Sequence, residues 1–404
     1  MISSFAWRNL WRNKLRSSII IAAVALGVFA GIFLIAFSSG MVNGRIQSII
    51  GTEMSHIQIH IHGYLENEQF SKLINNADSI VKKVETTPNV VAACKRVIIN
   101  SMVASAETGT GVKIIGTDPN EERKVTSLSS KIIKGKYMDE SSRNPVVISE
   151  LLAHKLKVGL KNKIIITVQD INNNLTGGAF RVVGIFRTDN LMFDEANIFV
   201  RNNDLCRLTG ISETKASEIA ILLNKNQNTD ETTKVLSVNF PKLDVKNWQQ
   251  LSPEAGYLVS AMNQYMYTFI IIILLALCFG IINTMLMIIM ERVRELGMLM
   301  AIGMNRLRIF TMIMLETVFL SLTGGILGIA AGFFASEYYS KKGIDLYFWK
   351  EAFADIGYSS LVYPVIEPKT MLITTIMVII TGVISALYPA YKALKLNPSE
   401  SIRT

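Results

Sequence analysis

The 404-residue sequence lacks the signatures of catalysis and metal binding. No G-x-S-x-G, H-E-x-x-H or G-x-x-x-x-G-K-S/T occurs, which removes the nucleophile elbow, the zinc-protease helix and the phosphate loop. Gly135-Lys136 is followed by Tyr137, where a phosphate loop needs Ser or Thr to hold magnesium. The chain is therefore not expected to be an enzyme, to hydrolyse ATP or to carry a cofactor or metal of its own. Cysteine is scarce, with three in all. Cys278 lies in an apolar run. Cys94 and Cys206 lie in a more polar region, and their spacing fits no metal motif. An oxidising compartment would permit a disulfide between them, but two unpaired thiols is the favoured reading. The formal charge is +9, yet no aromatic and basic residues interleave in the polar region, so nucleic acid is not an expected partner.

Long apolar runs are abundant. About 20 apolar residues cross the hydrocarbon of a bilayer as a helix, and four segments qualify: 17–37, 265–290, 309–335 and 371–391. The first exceeds the roughly 7–15 apolar residues of a signal-peptide core, so it reads as an uncleaved anchor. Between the first two runs, 41–262 has the composition of a folded polar domain. The expected fold is a membrane protein with four transmembrane helices. A large α+β domain is inserted between the first and second.

Orientation follows from Lys and Arg beside the runs. Arg8, Arg12, Lys14 and Arg16 precede the first. Arg292, Arg294, Arg306 and Arg308 lie between the second and third. Lys392, Lys395 and Arg403 follow the fourth, in the tail 392–404. With four spans these groups share one side, which should be cytoplasmic and hold both termini. In the 336–370 loop, Lys341, Lys342, Lys350 and Lys369 are balanced by Glu337, Asp345, Glu351, Asp355 and Glu367, so it belongs outside with the large domain. Within 1–16, Trp7, Trp11 and Leu15 recur every fourth residue with Arg8, Arg12 and Arg16 beside them, as in an amphipathic helix lying in the interface.

The spans carry small residues at helical spacing: Ala23, Gly27 and Gly31 in the first; Gly324, Gly328 and Gly332, with Gly325 alongside, in the third; Gly382, Ala386 and Ala390 in the fourth. Such faces let backbones approach closely, between helices or between subunits. Glu316 is the one acid in the third run. A carboxylate there is a functional candidate, but near the cytoplasmic end it can also reach Arg308 or the headgroups, which is the favoured reading.

In the inserted domain, His56-Ile57-Gln58-Ile59-His60-Ile61-His62 alternates strictly, so a strand would turn its isoleucines one way and its histidines the other. With no acidic or cysteine cluster nearby, the histidine face is expected to be wetted rather than metal-binding. Further elements are a helix over 70–85, a strand over 90–100, short strands at 112–115, 145–148, 163–168, 180–186 and 197–200, and a short helix at 151–156. A strand at 217–223, a helix at 229–240 and a strand at 243–248 follow. The outer pieces form two strand-helix-strand units interrupted by a β-rich piece.

The segment 291–304 has charges leading into an apolar stripe of Val293, Leu296, Leu299 and Met300, as in a short amphipathic helix beside the membrane. Its residues Glu291, Arg292, Arg294, Glu295, Leu296, Gly297, Leu299, Ala301 and Gly303 fit the pattern E-R-x-R-E-I/L-G-x-L-x-A-I/L-G. The tail fits P-A-x-R/K-A-x-x-x-x-P-x-E-A/S-I/L-R through Pro389, Ala390, Lys392, Ala393, Pro398, Glu400, Ser401, Ile402 and Arg403. In both, the sequence resembles the FtsX-like ABC transporter permease family, the group of MacB, FtsX and the lipoprotein-releasing LolC and LolE. The resemblance implies a MacB-like periplasmic domain over 41–262 and an inner-membrane location. It also implies separate ABC ATPase subunits that bind ATP and magnesium, and a second permease subunit, identical or related. The short helix would be the coupling helix, passing ATP-driven motion along the first two spans to the outer domain. Because the sequence includes no ATPase and its outer domain is larger than is usual in FtsX, the LolC/LolE type is expected. Lipoprotein would then be the cargo, handed to a periplasmic acceptor. MacB-like export of peptides or drugs and FtsX-like signalling to a cell-wall hydrolase are the alternatives.

Overall fold

A computed structural model describes residues 8, 14–66, 72–138, 142–366 and 368–394. Most of the interfacial stripe, including Trp7, Trp11 and Arg12, and the tail beyond Leu394 lie outside the described residues. Two compact units emerge. One is built from the described parts of Met1–Asn43, Val259–Asp345 and Leu361–Thr404, the other from Gly44–Leu258 and Leu346–Ser360.

Among the described residues, four helices are long and apolar enough to cross a membrane. They run Lys14–Ser48, Pro253–Glu291, Arg306–Lys342 and Pro368–Leu394. The first three have 35, 39 and 37 residues, or about 50–60 Å at 1.5 Å per residue, against a hydrocarbon of about 30 Å. Hydropathy marks only the part that lipid requires. The helices continue past it because no proline or cap stops them. The first passes directly into a π-helical turn, Ile49–Met54, a rare form that often marks functional positions.

Glycines set the packing of the spans. A Cβ on Gly324 would lie 2.7 Å from Val24 Cβ, and one on Gly328 2.6 Å from Ala25 O, so the third span's stripe closes on the first. Gly332 meets Ile32 there as well. Gly27 faces Leu277 of the second span, Gly31 makes ordinary contact with Ile273, and Gly382 faces Ser321 of the third. Ala386 and Ala390 are fully buried. These glycines and alanines thus serve helix contacts within one chain, whereas Ala23 of the first span is exposed. Val24, Val28, Leu274, Met285, Met312 and Leu320 fill the space between them.

The other unit holds a sheet of ten strands: β1 Ile57–Ile61, β2 Val90–Ala104, β3 Gly109–Thr117, β4 Ile132–Gly135, β5 Pro145–Ser149, β6 Lys163–Gln169, β7 Leu175–Phe186, β8 Asn197–Arg201, β9 Glu218–Leu223 and β10 Leu243–Asn247. The order is β10-β1-β9-β2-β3-β8-β5-β7-β4, with β6 joining β2 to β7. The first four positions, with helices Ala77–Glu85 and Thr229–Asn239, form a split βαβ unit. Its core is Ile57, Ile59, Val81, Val84, Ile221 and Leu236. The inserted piece has its own core, including Ile114, Val146, Ile166, Phe180 and Val200. One continuous sheet serves both, because the long β2 pairs with β9 near its start and with β3 and β6 farther on.

Two local expectations are corrected. Both faces of β1 are covered, and His56 and His60 are 6% and 1% exposed rather than wetted, while His62, just past the strand, is exposed as expected. The π-helical turn and Tyr64 account for this: Gln58 Nε2 donates to Met54 O at 3.1 Å, and His60 stacks on Tyr64 with centroids 5.2 Å apart. The helix expected from residue 70 begins at Ala77 among the described residues. Asn76 is left-handed, with φ 52°, and Ile74 instead pairs with Ala216 as a β-bridge. Three short helices, Pro119–Val125, Leu191–Ala196 and Asn202–Thr209, occupy segments without a legible period; Asp118 and Asn190 cap the first two. Residues 346–360 join this unit through Arg45, whose Nη1 donates to Gly357 O at 3.1 Å and to Glu53 Oε1 at 2.8 Å.

Candidate functional site

The second span ends at Glu291 and a helix restarts at Val293, leaving Arg292 as the corner. Its N–H still reaches Ile288 O and Ile289 O, both at 3.2 Å, which fixes the turn. The short helix runs Val293–Ala301. It stops at Gly303, whose φ of +98° suits glycine. Met304 N then donates to Leu299 O at 3.0 Å, satisfying a terminal carbonyl. Asn305 opens the third span by accepting from Leu307 N at 3.2 Å.

The short helix has two faces. Leu296 and Gly297 are buried, while Leu299, Met300 and Met304 pack against the core of the spans. Arg294, Met298 and Ala301 are exposed on the opposite face, and Ile302 and Gly303 are exposed at the end. Ile302 is 85% exposed and Leu307 69%. Charge and apolar surface therefore lie together on the uncovered side, a combination suited to a protein partner. Of the residues singled out from sequence, Leu296, Gly297 and Leu299 anchor the helix and Glu291, Arg294, Ala301 and Gly303 lie open.

Arg292 and Glu295 are also paired within the chain. Arg292 Nε donates to Glu295 Oε2 at 3.0 Å, and Nη1 donates to Glu316 Oε2 at 3.2 Å. Glu316 was expected to reach Arg308 or the headgroups. It is instead 5% exposed and faces inward, whereas Arg308 is exposed, and Arg292 lies within ion-pair reach of it.

The outer unit concentrates buried charge around Arg96 on β2. Its Nη2 and Nε donate to the two oxygens of Glu122 at 2.6 and 2.9 Å, and Nη1 donates to Glu218 Oε1 at 2.9 Å. Thr117 and Thr126 also donate to Glu122, each at 2.9 Å. Burial pushes the Glu122 carboxyl up, but Arg96 and the hydroxyls outweigh it and hold the carboxyl below its ordinary range. Removing one partner from such a buried set costs about 3–5 kcal/mol. A cleft of about 270 Å³ opens beside it, lined by Gln58, His60, Lys113, Phe193 and Glu218 among others. Cys94 and Cys206 are free and buried. Among the described residues no His, Cys, Asp and Glu cluster could hold a metal.

Comparison with known proteins now bears on both units. Residues 17–237 match the MacB-like periplasmic core domain, and residues 267–398 match the FtsX-like permease C-terminal domain. The chain belongs to the FtsX-like permease family. Among its relatives, an uncharacterised ABC transporter permease of Methanocaldococcus jannaschii is 28% identical over 284 residues, covering 67% of this chain and 65% of the relative. The lipoprotein-releasing system transmembrane protein LolC of Neisseria meningitidis is 20% identical over 378 residues, covering 90% and 89%. A macrolide export ATP-binding/permease protein MacB of Chlorobium luteolum is 35% identical over 130 residues, covering 31% of this chain and 16% of that protein. This FtsX-like permease thus resembles ABC transporter permeases of the MacB/FtsX/LolC type, and its apolar helices mark it as a multi-pass membrane protein.

Sequence reasoning about the permease missed Met298, Ile302 and Leu307, because an apolar residue on the open side of an amphipathic stripe looks like noise in the period. The signal that could have found Met298 and Ile302 is their place outside the stripe of Leu296 and Met300, near Arg294; for Leu307 it is the neighbouring Arg306 at the start of the third span.

Proposed function

We propose that this permease transmits ATP-driven motion from separate ABC ATPase subunits to its outer unit, and that the motion releases lipoproteins from the inner membrane toward a periplasmic acceptor. ATP and magnesium belong to the ATPases. A second permease subunit, identical or related, completes the complex. Both termini and the short helix face the cytoplasm. The carrying observation is the two-faced short helix: one side is packed into the span core, and the other presents Arg294, Met298 and Ile302. A rigid element gripped on one side and open on the other is what a push from an ATPase requires. Span helices longer than the hydrocarbon give that push a path out of the membrane. The cargo is supported by the likeness to LolC over most of both chains.

Depletion in the native host tests the cargo. Lipoproteins should accumulate in the inner membrane as the protein disappears; unchanged lipoprotein sorting would discard this cargo. The MacB-like core match favours export of peptides or drugs as the second reading. Under it, depletion would raise sensitivity to exported compounds while sorting stays normal.

A further inference from the structure

Glu316 is the one acid in the apolar run of the third span, and its side chain is 7% exposed. A carboxylate in that setting needs a partner. Arg292 supplies it from the corner between the second span and the short helix, at 3.2 Å. The same guanidinium holds Glu295 in the first turn of the short helix at 3.0 Å, but there the carboxylate is 43% exposed. The two contacts are therefore unequal. The exposed one is weakened by solvent, whereas the one to Glu316 lies in an environment that strengthens it. The planar fork of arginine can engage two carboxylates on two elements at once; the point charge of lysine is a poorer bridge.

We infer that Arg292 is a positioning residue: through Glu316 it locks the start of the short helix to the third span. A displacement of the helix is then delivered to the third span as well as to the second, to which the helix is joined covalently. The source of that displacement rests on the coupling reading above. The lock is a property of this chain alone, so the two can fail separately.

Spin labels test it in the full-length protein purified in detergent, placed at Met298→Cys on the short helix and Ile326→Cys on the third span in a Cys278→Ser background. Both label sites are exposed. The otherwise unmodified chain should give one narrow distance distribution. Glu316→Gln, close in shape and uncharged, should at least double its width, and Arg292→Lys should give an intermediate width. The exchange Arg292→Glu with Glu316→Arg should narrow it again. An unchanged width in Glu316→Gln, or an exchanged pair as broad as the single variants, would overturn the lock. A second measurement uses complexes that retain the ATPase. ATP should shift the distance in the parent and leave Glu316→Gln unshifted, with equal ATPase bound. An equal shift in both overturns the delivery of motion to the third span. If no ATPase accompanies even the unlabelled chain with its native Met298, the coupling reading falls and takes that delivery with it, while the width comparison still decides the lock.

Discussion

A Cβ on Gly328 would sit 2.6 Å from the carbonyl oxygen of Ala25, and a backbone oxygen cannot swing aside as a side-chain tip can. Gly328→Leu should force the first and third spans apart and cost at least about 1–3 kcal/mol. Thermal unfolding in detergent should show a clear fall in Tm. Gly280→Leu is the control, because nothing lies within 4 Å of a Cβ there, and its Tm should match the parent's. His56 makes a second residue-level case. Leu223 N donates to its Nδ1 at 3.2 Å, a bond that needs the nitrogen unprotonated, and burial lowers the imidazole from its usual 6.5 to about 4. Between those values the unfolded chain takes up a proton that the folded chain refuses. The stability His56 contributes is whole above pH 6.5 and is lost as pH falls through about 4. His56→Asn keeps an acceptor without the titration. Its melting temperature should fall less than the parent's between pH 7 and pH 5; parallel losses would exclude His56 as the cause.

At the scale of elements, the short helix is where sequence and structure agree in detail. Burial on one side leaves a period of 3.6, and Leu296, Leu299 and Met300 record it. Gly297 lies on that packed side. Gly297→Leu should leave membrane insertion intact and sharply reduce ATPase activity in the assembled complex, measured as hydrolysis per bound ATPase. Full activity would move the contact elsewhere. Strand β1 shows where legibility ends. Alternation reveals that two faces differ in chemistry, but not whether the polar one is covered. What covers His60 is Tyr64, in a turn that no period announces. Leu73 and Ile74 mislead for a related reason: buried apolar residues suit a helix face and a β-bridge equally, and the bridge partner Ala216 lies far along the chain. The Arg96 cluster was invisible for the same reason, since Arg96, Glu122 and Glu218 meet only once the sheet has formed.

For the whole molecule, the four spans were legible because lipid imposes a composition on any helix that crosses it, and the paired βαβ pieces because each has its own local period. The joining of the outer pieces with the inserted piece in one sheet was not, since pairing of Val103 with Ile166 leaves no trace near either residue. The orientation read from basic residues has a direct test. Asn172→Cys, exposed in the outer unit, should react with a membrane-impermeant maleimide in cells whose outer envelope has been opened. Arg294→Cys and Lys392→Cys, also exposed, should react only after the inner membrane is breached. The reverse pattern would invert the topology. Strand β2 has a practical consequence for recombining such proteins. Because Val90–Ala104 belongs to both halves of the outer unit, no hinge separates the inserted piece there. A graft that exchanges cargo-handling parts between relatives by cutting near residue 100 would splice through a hydrogen-bonded ribbon. Crossovers placed instead in the turns before Val90 and after Leu223 would carry the whole ribbon across intact.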